Sequence, residues 1–114
     1  MTKVHEVPQE KLDELRATHG EKRVLLLTTN TDDGAIEVVV VKPAKMEYDR
    51  FRKQFSDPDK RDVAVENLVR SAVKCPAKAE FESLLNDYPA IADELGKPLL
   101  QALGMSNSAE VGKR

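Results

Sequence analysis

Residues 22–42, KRVLLLTTNTDDGAIEVVVVK, decide the fold, because two apolar runs flank a short polar connection. β-Branched and apolar residues dominate both 22–29 and 35–42, and such residues favour extended strands. Between the runs lies Asp33-Gly34, and Asp-Gly supplies the positive φ angles that a tight reversal requires. The stretch therefore predicts an antiparallel β-hairpin.

The two predicted strands lack the alternation of apolar and polar residues that a hairpin with one wet face would show. Residues 25–27 are consecutive leucines and residues 38–41 are consecutive valines. We expect both faces of the hairpin to be covered, either by helices of this chain or by a second copy of it. For the second alternative, the candidate self-association residues are Leu25, Leu27, Val39 and Val41.

Helical spacing of apolar residues appears on both sides of the hairpin. A short helix is expected from Pro8 to Gly20, since proline suits the first turn and glycine suits the C-terminal cap. Beyond Pro43 the repeats predict several short helices. One of these helices ends near Cys75, and the chain restarts or kinks at Pro98 before the last apolar segment. The predicted fold is a single α+β domain over residues 1–104, with an N-terminal β-hairpin preceded by a short helix and followed by four to five short helices. Residues 105–114 are expected to form a flexible tail.

Composition narrows the class of protein. The chain has 114 residues, of which 40% are hydrophobic and 33% charged, which is typical of one globular domain with a charged surface. No apolar stretch approaches the roughly 20 residues that cross a bilayer, and the first residues lack the apolar centre of a signal peptide. We therefore expect a cytoplasmic protein that does not act at a membrane.

Residue patterns for catalysis and cofactor binding are absent from the sequence. The single cysteine, Cys75, has no histidine near it in sequence, and His5 and His19 have no second ligand at metal spacing. The five glycines are scattered, whereas phosphate-binding loops need clustered glycines. We predict a protein that is not an enzyme, with no catalytic residue, no metal and no cofactor.

Charge is unevenly distributed along the chain. The formal net charge is −2, but residues 42–78 hold ten basic and six acidic side chains. Opposite charges alternate within this segment, as on a solvated helical face with i to i+4 pairs. A small regulatory nucleic-acid-binding protein that uses residues 42–78 is kept as an alternative, although a phosphate-binding surface would be more purely basic.

The order of residues resembles the small tail assembly chaperones of long-tailed bacteriophages, either siphovirus-like or myovirus-like. The similarity covers roughly residues 22–104. It rests on a valine-rich strand, then a Lys-Pro pair, an aromatic helix, a Cys-Pro pair and a Tyr-Pro pair. The residues concerned are Lys42, Pro43, Glu47, Tyr48, Phe51, Leu68, Val69, Cys75, Pro76, Tyr88 and Pro89.

The resemblance implies a protein that binds the tape measure protein and keeps it soluble until tail tube subunits polymerise around it. It also implies self-association, possible contact with the tail tube protein, and absence from the mature virion. Four apolar residues near the end are candidates for client contact, with ordinary core packing as the alternative: Leu99, Leu100, Leu103 and Met105. A minor structural or adaptor protein of the virion is the remaining alternative.

One position departs from the resembling family. Relatives often have Ser or Thr directly after the proline, where it forms a capping box with the glutamate three residues later, but this chain has Ala44 before Glu47. An alanine methyl group cannot accept a hydrogen bond from the first turn of the helix. We therefore expect Ala44→Ser to stabilise the protein.

Overall fold

The computed structural model describes residues 3–104, which form a four-stranded sheet and five helices. In chain order the elements are β1 (Lys3–His5), α1 (Gln9–His19), β2 (Val24–Thr31), β3 (Gly34–Val41), α2 (Lys45–Ser56), α3 (Arg61–Ala72), β4 (Val73–Cys75), α4 (Lys78–Asp87) and α5 (Ile91–Ala102). The predicted α+β fold is confirmed, with one helix before the hairpin and four after it. The predicted tail, residues 105–114, lies outside the described residues.

The sheet is built around β3. Strand β2 pairs antiparallel with β3 along its whole length, from Val24 opposite Val41 to Thr31 opposite Gly34. The other edge of β3 is shared, because β1 pairs parallel with it near Ile36 and β4 pairs antiparallel with it near Val39. Strand β3 is therefore central, and β2 is an edge strand.

Helices of this chain cover both faces of β3. On one face, Ile36, Val38 and Val40 pack into the larger core with buried residues of α2, α3, α4 and α5. On the other face, Val39 and Val41 pack with residues of α1 in a smaller core. Of the two alternatives for covering the valine-rich strand, the structure contains the first.

The predicted self-association residues lie inside the chain. Val39 is fully buried, Leu27 and Val41 are 9% exposed, and Leu25 packs partly buried against the larger core. Their side chains already contact other residues in the two cores of this chain. Self-association through these four side chains stays a prediction. Leu26 is the leucine of β2 that faces solvent, with 42% of its surface exposed.

Two short strands and two helices differ from the prediction. Strands β1 and β4 have three residues each, too short for a period to be visible in the sequence. Helix α3 ends at Ala72, before the predicted end near Cys75, because residues 73–75 pair with β3. Helix α5 continues through Pro98, where a restart or kink was expected, and buried Leu95 and Leu99 hold both halves against the core.

None of the helices within residues 3–104 is long and apolar enough to cross a membrane.

Candidate functional site

The predicted client-contacting leucines fall at the end of α5, where the core meets the surface. Leu99 is fully buried in the larger core, which is the alternative of ordinary core packing. Leu100 and Leu103 are partly exposed and pack against the same core. Met105 lies outside the described residues. Among the residues predicted to contact a client, Leu100 lines a concavity in the surface.

That concavity is formed mainly by the aromatic side chains of α2. Tyr48, Phe51 and Phe55 follow one another along the helix, with ring centroids 5.8 Å and 5.6 Å apart. Phe51 is buried, whereas Phe55 is 45% exposed. Together with Leu100 they line a cavity of about 380 Å³, which we call the aromatic groove. The groove offers an apolar floor that is open to solvent.

Two arginines form the rim of the aromatic groove. The Nε atom of Arg61 donates a hydrogen bond to the carbonyl oxygen of Phe55 at 2.8 Å. The guanidinium carbon of Arg61 lies 5.4 Å from the centre of the Phe55 ring, which is within cation–π distance. Arg52 lines the same groove. Arg61 therefore holds the exposed ring in place and, with Arg52, surrounds the apolar floor with positive charge.

A second, more open concavity of about 680 Å³ lies on the outer side of α2. It is lined by Met46, Asp49, Arg50, Arg52, Lys53 and Ser56. Met46 is 74% exposed. Asp49 is paired with Lys45 at 2.8 Å, while Arg50, Arg52 and Lys53 make no ion pair with any other residue in the range 3–104. This surface, the basic face of α2, joins the aromatic groove at Arg52 and Ser56.

Farther along the basic segment, the charge of Arg70 is neutralised by two glutamates. Arg70 pairs with Glu66 at 3.0 Å and with Glu82 at 2.7 Å, and the hydrogen bond to Glu82 raises the pKa of the Arg70 guanidinium. Residues 42–78 thus contain both paired and unpaired cations. The unpaired arginines and lysine described above cluster on α2.

The cysteine and the two histidines considered for catalysis contact parts of the fold that give them structural roles. Cys75 is buried in the smaller core, and burial raises the pKa of its thiol. The Nδ1 atom of His5 lies 2.7 Å from the carbonyl oxygen of Glu37, which anchors β1 to β3. His19 lies in the last turn of α1, as expected for a cation near the helix C-terminus. Within residues 3–104 there is no group of three His, Cys, Asp or Glu side chains that could hold a metal ion.

The helical spacing of the aromatic residues of α2 indicates a core stripe and gives no sign of a groove. Their spacing is that of one buried face, and Phe51 fits it. Phe55, however, lies in the last turn of α2, beside the polar sequence Ser56-Asp57, where the chain turns toward α3. An aromatic residue at a helix end, next to a polar turn, is the signal that could have indicated exposure.

Comparison with solved structures gives the fold a relative. The chain is similar to an uncharacterised protein, rbstp2171 from Bacillus stearothermophilus, with a TM-score of 0.71 and 21% sequence identity. The alignment covers 88% of this chain and 98% of that one. At this identity the similarity concerns the fold alone.

Comparison with sequences gives a family. No curated protein matches the chain. A family model described as "Domain of unknown function (DUF6848)" matches residues 5–112. Since that match spans nearly the whole sequence, the chain belongs to the DUF6848 family.

Proposed function

We propose that this protein is a non-enzymatic phage or prophage tail assembly chaperone that binds the tape measure protein. The observation that carries the proposal is the aromatic groove with its arginine rim, in which the ring of Phe55 is 45% exposed beside Arg52 and Arg61. The resemblance of residues 22–104 to that family supports the same role.

The groove has the features of a helix-binding site. A tape measure protein is long and helical, and an amphipathic helix can place two or three apolar side chains, spaced by three or four residues, into such a groove. Phe51 and Leu100 supply the apolar floor, while Arg52 and Arg61 favour a client helix that carries acidic residues beside its apolar ones. The proposed client segment is therefore apolar and acidic.

The same proposal includes the place of action. A chaperone of this kind works in the cytoplasm of the bacterial host and leaves its client as tail tube subunits polymerise. The groove suits a reversible contact, because it is small and open, and small apolar contacts exchange faster than large obligate interfaces. We accordingly expect the protein in infected or lysogenic cells and not in finished virions.

Co-expression with the tape measure protein encoded nearby tests the proposal. We expect the wild-type protein to hold the client in the soluble fraction and to co-purify with it. Phe55→Ser should weaken this binding by about tenfold, which corresponds to about 1.4 kcal/mol, because it removes the exposed ring from the groove.

Val63→Ser is the matched control. Val63 is 44% exposed, nearly the same fraction as Phe55, but it does not line the groove. Equal loss of client in both variants would show that general surface apolarity, not the groove, binds the client. Failure of the wild-type protein to retain the client would contradict the chaperone role itself.

The basic face of α2 supports a second candidate function, binding of nucleic acid. Arg50, Arg52 and Lys53 lie together around Met46 without ion-pair partners among the described residues. Such a role predicts retention of DNA or RNA that falls steeply with salt and is reduced by Arg50→Gln and Lys53→Gln together. No retention at low salt would remove this candidate.

A further inference from the structure

No strand within residues 3–104 pairs with the outer edge of β2. Thr31 and Gly34 form the hydrogen-bonded pair next to the two-residue turn. From this pair, hydrogen-bonded and non-hydrogen-bonded pairs alternate along β2 and β3. The amide of Lys42 accordingly donates to the carbonyl oxygen of Arg23 at 2.8 Å, which continues the alternation. The peptide groups of Leu26, Thr28 and Asn30 therefore point away from β3.

These outward peptide groups are accessible. Leu26, Thr28 and Asn30 are all exposed, and none of their amides donates to a group elsewhere in residues 3–104. They offer a row of donors and acceptors in the spacing of an antiparallel ladder. The row is a template for one more strand.

Strand β2 carries none of the features that protect sheet edges from pairing. Its sequence, VLLLTTNT, contains no charged residue and no proline, and its register with β3 is unbroken by any bulge. Edge strands that stay in water are usually short or carry lysine, proline or a bulge. Leu26 adds an apolar side chain that is 42% exposed. The edge is suited to being covered by another strand.

The charges at the two ends of β2 identify the covering strand. Lys22 lies just before the strand, Asp32 lies just after it, both are exposed, and neither makes an ion pair with another residue in the described part of the chain. In an antiparallel pair of two β2 strands, the start of one lies beside the end of the other. Lys22 of each copy is then within reach of Asp32 of the other, which gives two symmetric ion pairs. A parallel pair would instead bring like charges together.

We propose that a second copy of this chain pairs antiparallel along the outer edge of β2. Residues 24–30 of the two copies form the new ladder, with Leu26 opposite Thr28 of the second copy and Lys22 beside its Asp32. The two four-stranded sheets become one sheet of eight strands about a two-fold axis. The backbone edge and the end charges of β2, rather than the buried leucines and valines, form the interface.

This inference does not depend on the proposed client. It concerns an edge of the sheet, whereas the aromatic groove lies on the helices α2 and α5. The dimer would carry two grooves, and two linked sites bind a long client more tightly than one. The dimer is nevertheless tested on the protein alone, so its failure is distinct from failure to bind a client.

Light scattering after size-exclusion chromatography, over a concentration series, tests the dimer. The wild-type protein should approach the mass of two chains as its concentration rises. Lys22→Asp and Asp32→Lys should each raise the dissociation constant at least tenfold, since each places like charges together at both ends of the ladder. The double variant Lys22→Asp/Asp32→Lys restores opposite charges and should restore dimerisation.

Two further variants make the test specific to the edge. Thr28→Pro removes an amide that points away from β3, so the hairpin should keep its circular dichroism spectrum while the dimer is lost. Lys78→Asp makes the same charge change at the exposed start of α4 and should leave the dimer intact. A wild-type protein that stays monomeric at the highest concentration would overturn the proposal. So would a dimer that survives Thr28→Pro, or a double variant no better than the single ones.

Discussion

Ala44 shows at the scale of one residue how a helix can begin with half of its capping interactions. It occupies the N-cap of α2 with φ −73° and ψ 167°, and the carboxylate of Glu47 accepts a hydrogen bond from its amide. The reciprocal bond is missing, because the alanine methyl group cannot accept from the amide of Glu47. The backbone thus has the geometry of a capping box, while one of its two side chains is lacking.

We expect Ala44→Ser to raise the free energy of unfolding by about 1 kcal/mol, because the serine oxygen can accept a hydrogen bond from the amide of Glu47 without any change in the backbone. Urea denaturation measures the difference. Ala17→Ser, at an exposed position inside α1, is the control and should lower stability slightly, since serine is a poorer helix former than alanine. An unchanged midpoint for Ala44→Ser would argue that the amide of Glu47 is already well solvated.

Leu99 and Phe55 illustrate which side chains could be assigned from the sequence and which could not. Both were placed correctly on helices, since helical periodicity is a local signal. Their exposure depends on neighbours distant in sequence: Leu99 is fully buried in the larger core, while Phe55, in the last turn of α2, stays 45% exposed. Local spacing predicts the faces of a helix, but only tertiary contacts determine which end of a face is covered.

At the scale of elements, the hairpin and the number of helices followed from the sequence because each is encoded locally. Asp32 and Asp33 form the two-residue turn, Gly34 directly after them has a φ of 135°, and Gly20 ends α1 with a φ of 91°. Strands β1 and β4 were missed for the opposite reason. Each has only three residues and extends only because β3 offers an edge to pair with, so tertiary pairing overrides the weak local preference of residues such as Val73.

Helix α5 continues through Gly96 and through Pro98, the residue that was expected to restart or kink it. Gly96 is buried, and a Cβ atom added there would lie 2.4 Å from the Cγ1 atom of Val65 in α3. The glycine is therefore a contact between two helices and does not break α5. The lost helix propensity is offset by the close approach of α5 to α3.

Gly96→Ala should lower the free energy of unfolding by about 1 kcal/mol, because the cost of overpacking exceeds the gain in helix propensity. Val65→Ala removes the methyl group that would clash. The double variant Gly96→Ala/Val65→Ala should therefore be more stable than the sum of the two single changes predicts, a coupling that a double-mutant cycle in urea measures. Additive effects would contradict the close contact between α3 and α5.

At the scale of the molecule, long-range polar contacts connect the sheet to the layers around it. The hydroxyl group of Tyr88, at the end of α4, donates to the carboxylate of Asp33 in the hairpin turn at 2.8 Å, and this bond raises the pKa of Tyr88. On the other edge of β3, Glu37 connects the sheet to the segment between β1 and α1. Neither contact was predictable from the sequence, since the partners are 55 and 30 residues apart.

Glu37 makes the stability of the whole molecule depend on pH. Its carboxylate accepts a hydrogen bond from the amide of Val7 at 3.0 Å and pairs with Lys3 at 3.2 Å. The bond from Val7 is the main cause that lowers the pKa of Glu37, and Lys3 adds to it, while partial burial opposes both. Because the folded state holds the ionised form, this stabilisation is complete above the ordinary glutamate pKa of about 4.3 and is lost as pH falls through the lowered value.

Glu37→Gln should therefore lower the free energy of unfolding by about 1–3 kcal/mol at neutral pH, as expected for loss of a charged hydrogen-bond acceptor. The difference from wild type should shrink as pH falls below the ordinary glutamate pKa and through the lowered pKa of Glu37 in the folded protein. Urea denaturation at several pH values measures it. Glu14→Gln, which alters an exposed pair with Lys11 at 3.6 Å, is the control and should show little effect at any pH. A difference for Glu37→Gln that stays constant down to pH 2 would show that the stabilisation by Glu37 does not depend on its ionisation, which would contradict the expected pH dependence.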